Sequence, residues 1–73
     1  MNNTQEIYYR VEYKVGHSWQ PIANKYKLFA EASKELESLL EAAKEDPNKI
    51  STEFRITEFV NRISMEVIKH VTV

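Results

Sequence analysis

Along Ile7–Val15, IYYRVEYKV, apolar and polar positions alternate. Ile7, Tyr9, Val11, Tyr13 and Val15 fall on one side of an extended chain, and Tyr8, Arg10, Glu12 and Lys14 on the other. A period of two predicts a strand with one face turned to a core. Gly16-His17 follows, and glycine at the first central position suits a two-residue type II′ turn. That turn would set Val15 opposite Ser18, Val11 opposite Ile22, and Trp19 opposite Lys14 on the face away from the core. A three-residue loop would slip the pairing by one and turn Trp19 inward, so both placements of Trp19 stay open.

The period changes near Phe29. Phe29, Ala32, Leu36, Leu39, Leu40 and Ala43 recur as one stripe of a 3.6-residue helix, with glutamates and lysines on the other side. Ala, Leu, Glu and Lys favour that state. No Ser, Thr, Asp or Asn stands where an N-cap is expected, which leaves the start loosely at 29–31. Pro47 disfavours helical geometry at Asp46 and ends the helix, with Pro47-Asn48 as a turn.

From Thr52 onward β-branched residues dominate. Phe54, Ile56 and Val60 would line one face of a third strand, and Arg55, Thr57 and Phe59 the other. Ile63, Met65, Val67, Val71 and Val73 predict a fourth, after a turn at Asn61-Arg62 and with an irregularity near Ile68-Lys69. Ile56, Phe59, Val60, Ile63 and Val67 also fit helical spacing, so a helix across 57–70 is the rival. The β-branched composition favours the hairpin.

The expected fold is α+β, one domain over residues 1–73. It is a small antiparallel four-stranded sheet, ββαββ in strand order 2-1-3-4, with one amphipathic helix on one face. Nothing in the chain is left to cover the second face, which would carry Tyr8, Arg10, Lys14, Arg55, Phe59 and, in the two-residue register, Trp19.

Charge changes this picture in one respect. The net charge is −1, but residues 30–53 form an acidic block, so any electropositive surface must come from the flanking strands. The absence of cysteine excludes disulfides and thiolate metal sites and fits a reduced, cytoplasmic setting. The polar start MNNTQE lacks the layout of a signal peptide, and no apolar run is long enough for a membrane span.

Chemistry is hard to place on this chain. A single glycine argues against phosphate-cradling loops, which need several. His17 and His70 belong to no metal or triad spacing, and the glutamates follow a solvated helix face. The expectation is a non-enzymatic protein with no cofactor and no metal. Tyr8, Trp19 and Phe59 interleaved with Arg10, Lys14 and Arg55 have the composition of a protein-recognition surface. The same residues could stack bases, which makes a nucleotide or single-stranded nucleic-acid binder the alternative. Against it stand Glu12 and Glu58, expected close to the same surface, and the absence of any basic run. The acidic helix surface around Glu37 and Glu41 is the other candidate for a partner. Because Tyr8, Arg10 and Arg55 point away from the helix stripe, replacing them is expected to leave folding nearly unchanged. The uncovered face and the sheet edges also predict a homodimer.

Y-R-V-E-Y near the start, a tryptophan after the first turn, an E/A/L-rich amphipathic helix, and E-F-R-I-T-E after a P-N turn together resemble small phage- and prophage-encoded proteins of unknown function. The resemblance spans about residues 7–60 and departs from the pattern in lacking Ser or Thr at the helix start. It implies a phage-type accessory protein that binds and inhibits a host or defence protein in the host cytoplasm. It carries over no active-site residue.

Overall fold

The computed structural model describes residues 5–22, 24–46, 48 and 53–72. The expected strand start at Thr52, the proline of the Pro47-Asn48 turn, and Val73 lie outside the described residues. The chain runs β1 (Ile7–Val15), β2 (Ser18–Pro21), α1 (Phe29–Glu45), β3 (Glu53–Val60), β4 (Ile63–Thr72). The strands form one antiparallel sheet in the order β2-β1-β3-β4.

The first turn takes the two-residue register, pairing Val15 with Ser18 and Lys14 with Trp19. Gly16 has φ +61° and His17 does not have positive φ, the combination a type II′ turn uses. Trp19 is therefore on the face away from the helix. Beyond Pro21 the chain stays on this edge: the Ile22 amide donates to the Val11 carbonyl, and Tyr26 exchanges two backbone hydrogen bonds with Tyr9. The second turn, Asn61-Arg62, has φ of 51° and 70°, the pair of left-handed residues that defines type I′. Arginine in that conformation is strained by about 1 kcal/mol relative to glycine.

α1 begins without a side-chain N-cap, as its sequence implied. Glu31 partly compensates, because its Oε1 accepts from the Leu28 amide at 3.4 Å. At the other end Asp46 is extended, as a residue before proline should be, and its Oδ1 accepts the Asn48 amide at 2.8 Å.

The core lies between α1 and the two central strands. Val11, Leu36, Ile56 and Ala32 are fully buried, joined by Ala43 and Phe54. Each of the large aliphatics contributes about 1.5–3 kcal/mol by leaving water. α1 packs on β1 and β3 and makes no such contact with β2 or β4 among the described residues. Leu39 and Leu40 of the stripe are half-buried and Phe29 is exposed, so the cover is narrower than the stripe suggested. The irregularity expected near Ile68 is present, and a second register shift leaves Met65 without a partner on β3.

Candidate functional site

Pairing of β1 with β3 sets Tyr8 opposite Phe59, Arg10 opposite Thr57, and Glu12 opposite Arg55. Strand alternation points all six away from α1. Trp19 joins them from β2, opposite Lys14, and His70 from β4, opposite Arg55. The six candidate residues Tyr8, Arg10, Lys14, Trp19, Arg55 and Phe59 thus share one face.

Two clusters organise that face. At one end the rings of Tyr8 and Phe59 are stacked, with centroids 5.1 Å apart and planes 3° apart, and Lys25 Nζ lies 4.8 Å from the Tyr8 centroid. Tyr8 is buried as a result. Beside it an Arg10 guanidinium nitrogen donates to the Ile22 carbonyl at 3.4 Å.

At the centre is a carboxylate. Glu12 is only 7% exposed although no helix covers it. Its Oε1 accepts from Arg55 Nε at 2.7 Å and from the Thr57 hydroxyl at 2.6 Å. The same guanidinium lies 4.2 Å from the Trp19 ring centroid, within cation–π range. The His70 ring meets Trp19 edge-on at 5.9 Å, and His70 and Lys14 both contact the Glu53 carboxylate, at 3.2 and 3.4 Å. Arg55 is thus fixed from two sides, by a buried carboxylate and an indole.

These contacts revise two sequence expectations. Tyr8 and Arg55 point away from α1 but are not free of structural duty: Tyr8 is buried, and Arg55 balances the Glu12 charge. Alanine at either position removes packing or strands a buried charge, so unchanged folding is not to be expected. Glu58 is not on this face. It shares the parity of Phe54 and Ile56 and accepts the Tyr9 hydroxyl at 3.2 Å on the helix side. Burial raises the Tyr9 pKa above its ordinary value, and the hydrogen bond to Glu58 and its charge push the same way.

Sequence reasoning missed Lys25, Glu53 and His70 as members of the face. Glu53 comes in through the β1–β3 pairing across the helix, His70 through a β3–β4 register shifted by bulges, and Lys25 through the Tyr26–Tyr9 bonding of the segment after β2, none of which has a local signal. Glu37 and Glu41 are exposed on α1, across the sheet from these clusters. Among the described residues no three His, Cys, Asp or Glu side chains gather in a way that could hold a metal ion. No helix among them is long and apolar enough to cross a membrane. No protein-family model, curated protein or solved structure matches this chain.

Proposed function

We propose that this chain is a small non-enzymatic protein-binding module that engages its partner through the sheet face opposite α1. The observation that supports this reading most is the Trp19–Arg55 stack held on buried Glu12. Tryptophan and arginine dominate the energetic centres of protein interfaces. Here the pair is ordered before any partner arrives, which lowers the entropy lost on binding. Lys14 Nζ lies 6.0 Å from the centroid of the same indole, and Arg10 and Phe59 extend the face toward the Tyr8 cluster. The resemblance to phage-encoded proteins supports a narrower job, that of an accessory protein that binds and blocks a host or defence protein. The nucleic-acid alternative needs an aromatic ring open to a base, and Tyr8 is already stacked on Phe59 beneath Lys25.

The test is capture from lysate by tagged protein, with and without nuclease, comparing wild type with Trp19→Ala and with the Glu37→Lys/Glu41→Lys pair. A retained protein that survives nuclease is expected. Trp19→Ala should weaken its binding about thirtyfold, and the helix pair should leave it unchanged. Loss of capture on nuclease treatment overturns the reading in favour of nucleic acid. Capture that survives Trp19→Ala but not the helix pair moves the site to the acidic surface.

A further inference from the structure

β4 is the longest strand of the sheet and lies at its edge. One side is hydrogen-bonded to β3, and nothing among the described residues pairs with the other. α1 does not reach it. Ile63, Met65, Val67 and Ile68 are consequently 64, 60, 44 and 37% exposed. Ile63, opposite Val60, is on the helix side and Val67, opposite Thr57, on the other, so apolar surface lies on both sides of this unpaired edge. The opposite edge is protected. β2 has four residues and ends at Pro21, and Ile22 and Tyr26 continue the bonding to β1 beyond it.

The charges of β4 indicate what covers it. Glu66 pairs with Glu58 on β3, and Lys69 with Ile56. Glu58 and Ile56 share a face, so Glu66 and Lys69 do too, although an odd spacing would normally separate them. The extra residue at Ile68 brings them to the same side. Their midpoint falls between Val67 and Ile68, which is also the midpoint of Ile63–Thr72. A second copy added antiparallel, about a two-fold axis through that point and perpendicular to the sheet, sets Glu66 of each copy against Lys69 of the other. The pairing is confined to the middle of β4, because beyond Glu66 and Lys69 the Met65 bulge puts Ser64 and Val71, and Ile63 and Thr72, on opposite faces. Within one chain Glu66 stands opposite Glu58, a like-charge pair that costs stability, and a lysine from another copy offsets it.

We propose that the chain forms a two-fold dimer by antiparallel pairing of β4 with β4 of a second copy, with two Glu66–Lys69 ion pairs across the axis. The result is a continuous eight-stranded sheet with both helices on one face. The opposite face stays open in both copies, so the dimer would present the Trp19–Arg55 stack twice and bind a repeated partner with avidity. The dimer itself does not depend on what that face binds.

Sedimentation velocity across the micromolar range tests it, and wild type should sediment at twice 8.6 kDa. Glu66→Lys or Lys69→Glu alone places two like-charged pairs across the axis and should weaken the dimer about tenfold. Mixing the two single variants should restore association, because one chain then carries only positive and the other only negative charge at the axis. The double variant Glu66→Lys/Lys69→Glu should also return to within about threefold of wild type, since both opposite-sign pairs re-form. Folding is not at risk in Glu66→Lys, which removes the clash with Glu58; circular dichroism of the monomer checks this. A wild type that stays monomeric throughout leaves β4 to a strand of some other protein and overturns the proposal. So does a dimer that neither single reversal weakens, or one that the mixture and the double variant fail to restore.

Discussion

The two faces of the sheet reach burial by different means. Under α1, Val11, Ile56 and Phe54 meet Ala32, Leu36 and Ala43, and the contact is almost wholly aliphatic and aromatic carbon. On the opposite face no element lies over the strands among the described residues, yet Tyr8, Glu12 and Thr57 are 6, 7 and 1% exposed. Their cover is made by long side chains lying along the sheet: Phe59 and Lys25 over Tyr8, Arg55 and Trp19 over Glu12. The helix-side core depends mainly on volume, and a swap of similar size is tolerated there. The other face depends on bond geometry, because Arg55 and Thr57 satisfy the buried Glu12 carboxylate while the rings and Lys25 close over them. An uncovered sheet face in a small domain can therefore serve as a second, polar core, and recognition and stability then share residues.

The largest expected effect separates the two faces by volume. Leu36→Ala opens a cavity at a fully buried position and should cost about 2–5 kcal/mol, read by urea denaturation. In a domain of this size, whose total stability is on the order of 4–10 kcal/mol, that is a large share. A cost below 1 kcal/mol would mean that α1 is not the main source of cohesion.

Next comes the polar face. Arg55→Ala leaves Glu12 buried and charged without its partner, and should cost about 2–3 kcal/mol, less than for a fully buried pair because Arg55 is partly exposed. Adding Glu12→Gln should recover a substantial part of that loss, since the amide carries no charge to strand. If the single and double variants melt alike, Glu12 is not held by Arg55 and the polar core does not exist.

The smallest change touches neither face and so calibrates both. Arg62→Gly relieves a left-handed residue in the β3–β4 turn and should stabilise by about 1 kcal/mol, raising the melting temperature by several degrees. A loss instead would mean that the Arg62 side chain contributes more than its backbone strain costs.

The helix-side face was largely legible in the chain. Alternation in IYYRVEYKV, the 3.6-residue stripe from Phe29 to Ala43, and the β-branched run after Thr52 each report local geometry. Strand order followed from those elements, because a short chain with one crossover has few ways to assemble. Glu58 was readable too, since its parity with Phe54 and Ile56 places it on the helix side. The burial of Glu12 was not, because a charged residue on an alternating strand reads as solvent-facing unless its cross-strand neighbours are known. The narrowness of the helix cover was equally hidden. A stripe shows which side of a helix is apolar, but not how many strands lie beneath it.

The sequence by itself determined the elements and the positions of both turns, and narrowed the first hairpin to two registers, of which the structure takes the two-residue one. These depend on residues a few positions apart: Gly16 with positive φ sets the Val15–Ser18 pairing, and Asn61-Arg62 turns the chain between two β-rich runs. Only the tertiary structure decided that Glu12 would be enclosed by Arg55 and Thr57, 43 and 45 residues further along the chain, and that β4 would be left at the edge beyond the reach of α1. The physical reason is the same in both cases. A side chain's burial is set by whatever the fold brings beside it, and partners so distant in sequence leave no periodicity to read.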